Sequence, residues 1–331
     1  MAVRVVFVHG IGGPREPARE LGQWSAALAA GTRAAGHDDQ AQRLTAGTSV
    51  STAFAYYGDL FAAPQAQGDG TWSPSGEEAD ILAGLLGDVV ASLVADNEAE
   101  NDEEPDPERK RAERRVLEYA QVQTAPAGQA QGSGQVLRKA LDVATTLMEL
   151  RPWRSLGTWV APKVMVRELA QVARYLARGE REAAGGSLDE RIRARLLDEL
   201  GDGPSVVVAH SLGTVVAMEA LHEHAGELPL FVTLGSPISM RAAVRPRLRP
   251  RPPASPACVR SWLNFWDRDD LIAVRAHLER DVAPNEAGVA PVSRRVDSDG
   301  IWVHPAEKYL AQPAVAGPVA AVLRAHAAED R

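Results

Sequence analysis

The chain is expected to fold as an α/β protein with a mostly parallel central sheet, flanked by helices and interrupted by a helical insertion. Three observations predict this. Valine-rich runs at residues 3–8 and 205–208 show almost no alternation with polar residues, as strands covered on both faces do. Each ends in a glycine-bearing turn and passes into apolar residues at helical spacing, the rhythm of strand and crossover-helix units. Between residues 61 and 186 that rhythm stops and apolar helical stripes replace it, over a stretch too long for a loop.

With 331 residues and 45% hydrophobic side chains, the chain can bury a large core. Its formal charge of −8 speaks against a nucleic-acid binder, because neutralising phosphates takes a basic face. The lone cysteine, Cys258, rules out an intrachain disulfide and any cysteine-based metal cluster, and it fits a reducing compartment. Residues 1–8 lack the separate charged, apolar and cleavage regions of a signal peptide. No apolar run approaches the ~20 residues that span a bilayer. The expectation is a cytoplasmic protein without a transmembrane segment.

Taken in order, residues 3–8 form the first strand and lead into His9-Gly10-Ile11-Gly12-Gly13-Pro14. A phosphate cradle would need G-x-G-x-x-G spacing or a P-loop lysine, and neither is present. Leu21, Trp24, Ala27, Leu28 and Thr32 mark a helix that Gly36 can stop, and residues 49–57 form a second strand. The insertion, residues 61–186, separates a core made of residues 1–60 and 187–331. Within it Ile81, Leu82, Leu85, Leu86, Val89 and Val90 make a wide stripe, for which residues 136–148 and 165–176 offer partners. Residues 96–108 are a block of acidic charge, expected to be a disordered, solvated loop. Trp153 and Trp159 are expected to anchor the insertion through their buried area. Ser187 should cap, and Gly201 stop, the helix that returns the chain to the sheet. Residues 230–234 and 259–266 read as later strands, and residues 245–256, dense in proline and arginine, as a stiff exposed loop between them.

The chemistry is concentrated at Ala209-His210-Ser211-Leu212-Gly213. A strand ending in a serine flanked by small residues, with a helix starting at once, is the nucleophile elbow, in which a strained turn exposes the hydroxyl. Alanine stands at the first small position, where the steric demand is only for a minimal side chain. The His-Gly-Ile-Gly loop after the first strand resembles the His-Gly loop of esterases and lipases, a resemblance that implies the Ile11 and Leu212 N–H groups as oxyanion donors. His9 then serves the loop as a structural hydrogen-bonding residue. Past the strand at 259–266 three aspartates compete for the role of acid: Asp267, Asp269 and Asp270. His304 lies in a loop before a final helix, whereas His277 and His326 fall within apparent helices.

These pieces, His-Gly-Ile-Gly, Ala-His-Ser-Leu-Gly, Gly235-Ser236-Pro237, Asp270-Leu271-Ile272 and the late His304, come in the order in which they occur in α/β-hydrolase lipases and esterases, and the chain resembles that superfamily over residues 1–60 and 187–331. The resemblance implies an α/β-hydrolase fold with the insertion as a helical cap. It also implies a triad of Ser211, Asp270 and His304, with Asp267 as the reserve acid, and an aromatic residue after the histidine, here Tyr309. The implied activity is cleavage of a small-molecule or lipid ester, or a thioester, through an acyl-enzyme, with no metal or organic cofactor. An acyltransferase using the same triad, or a non-catalytic interaction module on the same fold, are the alternatives.

Overall fold

The valine runs become strands because β-branched side chains suit a pleated surface that is covered on both sides. The computed structural model describes residues 3–12, 15–46, 50–61, 74–99, 142, 162–181, 185–201, 203–268, 270, 272–273, 277–298 and 303–329. In it β1 (Arg4–Val8), β2 (Ser51–Ala55), β3 (Ser205–His210), β4 (Leu230–Leu234), β5 (Trp262–Asp267) and β6 (Pro291–Val296) make one six-stranded sheet in the order β2-β1-β3-β4-β5-β6. Every neighbouring pair is parallel, with Val6 opposite both Ala53 and Val207, and Val208 opposite Val232.

Parallel strands need crossovers, and helices supply them. From β1 to β4 they are α1 (Pro17–Ala34), α2 (Asp38–Ala46), α5 (Leu188–Leu200) and α6 (Leu212–Leu221); the two later connections hold only short 3-10 turns among the described residues, and α7 (Ala306–Leu310) and α8 (Pro313–Glu329) follow the last strand. One face of the sheet, with Phe7, Phe54, Val206, Val232 and Phe265, shares a buried cluster with Trp24 and Leu28 of α1 and with Tyr309, Val315 and Val319 of α7 and α8. Helices α5 and α6 contact β1 and lie along the strands near it, where alternate residues such as Val6 and Val207 are fully buried. The sequence places the ends of α5 correctly: Ser187 and Glu190 form a reciprocal capping box, and Gly201 ends the helix at φ +63°. Arg193 ties α5 to α6, standing 2.8 Å from Asp189 of its own helix and 3.7 Å from the buried Glu219 of α6.

Two elements were not anticipated, α2 and β6. β6 reads Pro-Val-Ser-Arg-Arg-Val, with a proline at its start and exposed arginines along it, which is how an edge strand avoids further pairing. β5 also starts later than the run 259–266 suggested and runs on to Asp267.

The chain divides into two compact units: Met1–Ala62, Arg181–Ser239 and Leu248–Arg331 form the first, and Ala63–Glu180 with Met240–Arg247 the second. In the second unit α3 (Gly76–Ala99) packs on α4 (Pro162–Ala177), and the expected stripes, Ile81 to Val90 and Leu169 to Leu176, are buried. The segment Met240–Arg247, read from the sequence as part of the core, belongs to this unit because Asp88 of α3 accepts the N–H groups of Arg241, Ala242 and Ala243. Asp96 to Ala99 of the acidic block extend α3; residues 100–108, the stripe at 136–148 apart from Asp142, Trp153 and Trp159 lie outside the described residues. Among the described residues no helix is long and apolar enough to cross a membrane.

Candidate active site

In this strand order the chain leaves β1 toward β2 on one side and returns as β3 on the other, so the crossovers diverge between β1 and β3. Such a switch point opens a crevice at the carboxyl ends of the strands. Four of the five candidate segments follow strand ends within a few residues: Gly10-Ile11 after β1, Ser211 after β3, Gly235 after β4 and Asp270 after β5. The fifth, His304, lies between β6 and α7.

Ser211 is the single residue between β3 and α6, and the reversal forces it to φ 53° and ψ −127°. Only Arg178 shares a positive φ among the described non-glycine residues. A conformation of this kind costs roughly 1–3 kcal/mol and persists only where its surroundings hold it. Here the Ser211 N–H donates to the Leu234 carbonyl at 3.0 Å, and the Ser211 carbonyl accepts from the N–H and Oγ1 of Thr214 at 2.9 and 2.7 Å. The small residues around the serine are a matter of space. A Cβ on Gly213 would stand 2.4 Å from the His9 carbonyl oxygen, and one on Gly10 would stand 2.6 Å from Ser211 Cβ and 3.2 Å from its Oγ. The loop after β1 therefore lies directly against the serine. Leu212 opens α6, so its N–H has no acceptor within the helix. The carbonyl of Ile11, the other proposed donor residue, is held by Arg15 Nη2 at 3.1 Å.

His9 is built into the wall of this loop. Its Nε2 accepts the Tyr57 N–H at 3.1 Å, which fixes Nδ1 as the protonated nitrogen that donates to the Gly10 carbonyl at 2.7 Å. The Tyr57 hydroxyl in turn donates to the His9 carbonyl, and the rings of Phe54 and Tyr57 stack on the imidazole. Burial disfavours the charged ring, and despite the Gly10 carbonyl its pKa falls to about 3.

Asp270 is 4% exposed, and His304 Nδ1 lies 2.9 Å from each of its carboxylate oxygens. Three donors converge on this carboxylate: His304, the Tyr309 hydroxyl at 2.7 Å and the Ile272 N–H at 3.0 Å. Burial alone would raise the Asp270 pKa, but the neighbouring imidazole and these hydrogen bonds outweigh it and hold the group below the ordinary carboxylate value. With Nδ1 donating to Asp270, the neutral His304 presents its basic lone pair at Nε2. Gly235 makes room for the pair. It adopts φ +54°, and a Cβ there would stand 2.6 Å from Asp270 Oδ2 and 3.3 Å from His304 Nδ1.

Asp267, the reserve acid, is equally buried but turned elsewhere: its carboxylate accepts the Ser298 N–H at 2.6 Å, and its own N–H donates to the Tyr309 hydroxyl at 3.0 Å. Asp269 lies outside the described residues. His277 begins a short 3-10 turn rather than lying in a helix and pairs with Glu279 at 3.0 Å; His326 bonds the Val322 carbonyl within α8. Among the described residues no three His, Cys, Asp or Glu side chains stand together to hold a metal ion. The sequence reading caught one further residue of the site in part and gave no role to another. Tyr309 was visible only as an aromatic after the histidine, while its link between two aspartates needs the fold. His210 was hidden as the variable residue of the elbow motif, though a histidine directly before the candidate serine is itself a signal. No family model, curated protein or solved structure matches this chain, so the chemistry of the site rests on its own geometry.

Proposed function

We propose that this protein is a serine hydrolase of the α/β-hydrolase kind that cleaves carboxylic esters, thioesters or lipid acyl groups through an acyl-enzyme. The observation that carries the reading is the His304 imidazole set with its Nδ1 on both oxygens of the buried Asp270 carboxylate, on the same edge of the sheet as a serine held in a strained turn against Gly10. In this mechanism Ser211 Oγ attacks the substrate carbonyl while His304 Nε2 takes its proton. The Ile11 and Leu212 N–H groups receive the oxyanion. His304 then protonates the leaving alcohol or thiol, and Asp270 stabilises the imidazolium throughout. Water, activated by the same histidine, releases the acid and restores the serine. The insertion, on this reading, serves as the cap that selects the acyl chain, since the triad itself is indifferent to chain length.

Mixing the protein with p-nitrophenyl acetate and quenching early tests the reading by intact mass. A covalent acetyl group on Ser211, absent from Ser211→Ala, is the expected result. Turnover that proceeds equally in Ser211→Ala overturns it.

A further inference from the structure

His210 is the last residue of β3 and directly precedes the proposed nucleophile, and it is 8% exposed. Its Nε2 is 2.6 Å from the backbone carbonyl of His304. A carbonyl only accepts, so Nε2 carries the proton and the tautomer is fixed. The same ring lies against the His304 imidazole, with centroids 4.5 Å apart and planes tilted by 44°, while Trp24 meets it edge-on at 6.0 Å. Burial, followed by the neighbouring His304, keeps His210 neutral by pushing its pKa well below the ordinary histidine value. The mechanism described above gives this buried imidazole no part.

We infer that His210 is a positioning residue that holds the general base in register with the nucleophile, through its Nε2–H bond to the His304 carbonyl and its ring contact with the His304 side chain. The inference rests on the hydrolase reading. Asp270 holds the base at one point, its Nδ1. His210 adds a second point on the His304 backbone and a third on its ring face. Because His210 and Ser211 are consecutive, the clamp refers the base to the residue whose proton it must take. A misplacement of ~1 Å in such a site can cost ~100-fold in rate, so a positioning bond of this kind should be visible in turnover. The ring must also stay neutral for this role, since a second imidazolium beside His304 would oppose the charge that His304 gains in acyl transfer.

The experiment compares wild type with His210→Phe, which keeps the ring and removes the donor, and with His210→Gln, which can return an N–H near the same place. Steady-state hydrolysis of p-nitrophenyl butyrate is measured alongside melting temperature. The expected result is a kcat lowered roughly 30- to 100-fold in His210→Phe, with KM changed by less than about threefold and at least tenfold of the loss restored in His210→Gln. A folded His210→Phe with wild-type kcat overturns the clamp, as does a loss confined to KM or one that His210→Gln does not relieve. Failure of the hydrolase reading is distinguishable, because it leaves wild type itself without turnover or acylation of Ser211. A wild-type measurement covers variants that do not fold: nitrogen-15 spectra of histidine-labelled protein should show His210 protonated at Nε2 and unchanged from pH 6 to 8. Protonation at Nδ1 alone would mean that no bond to the carbonyl exists, and would overturn the inference.

Discussion

The carboxyl end of β1 and the loop after β6 each hold a histidine against the sheet, and the two are wired for opposite purposes. His9 has a backbone group on both ring nitrogens, the Tyr57 N–H and the Gly10 carbonyl. Neither neighbour carries a countercharge, so protonation would break a hydrogen bond and bury an unbalanced cation. His304 instead has its Nδ1 against a buried carboxylate whose other acceptor positions are filled by Tyr309 and Ile272. A charge arising on that ring meets its partner already in place. Burial alone therefore does not mark a catalytic histidine. What distinguishes the two is whether the nearest acceptor is a dipole or an anion.

The sharpest way to break this comparison is to remove each ring. His304→Ala should lose at least a thousandfold in turnover, and combining it with Ser211→Ala should cost little more, because members of a triad act as a unit. His9→Gln should leave kcat within about tenfold while lowering stability, since its loss leaves buried backbone groups with poorer partners at a cost of about 1–3 kcal/mol. Equal losses of turnover in the two variants would erase the distinction.

The acid is the next test. Asp270→Asn removes the anion and unsettles the His304 tautomer, and a loss approaching ten-thousandfold in kcat is expected, whereas Asp267→Asn should cost less than about tenfold because that carboxylate serves the Ser298 N–H. The reverse ranking would transfer the acid to Asp267. Tyr309→Phe should fall between them, at about tenfold, having removed one charge-assisted hydrogen bond from Asp270.

The smallest effect is one of pH on stability. The His9 pKa is about 3 in the folded chain against an ordinary 6.5, so below pH 6.5 the unfolded chain takes up a proton that the folded chain refuses. The stability linked to His9 is thus complete above about pH 6.5 and is lost progressively as pH falls toward 3. Between pH 7.5 and 5 this corresponds to roughly 2 kcal/mol for such a histidine, and urea unfolding should show a shallower pH slope in His9→Gln. An unchanged slope would mean that His9 can be charged in place.

Much of this was legible before the fold. The strands at residues 3–8 and 205–208, the turn at Ser211 and the capped helix starting at Leu188 each carry their own local signal, so chain order and strand ends could be read off together. β6 could not, because its arginines and proline suit an edge and resemble a loop. The choice between Asp267 and Asp270 was equally closed to local reading. Asp267 ends β5 and Asp270 follows it, both are buried, and what separates them is the direction set by Tyr309, which arrives from α7 some forty residues later. His210 shows the same limit from inside a motif: its partner is a backbone carbonyl 94 positions away, which no local pattern records. The role of the insertion is likewise closed to local reading, because the sequence supplies only its stripes.

The central claim, that Ser211 is an activated nucleophile served by His304, is tested most directly by labelling the native protein with a fluorophosphonate and mapping the modified residue by peptide mass. The account predicts a single adduct on Ser211, formed far more slowly in His304→Ala and absent from Ser211→Ala. A folded wild type that takes up no label, or a label that persists undiminished in Ser211→Ala, would contradict it.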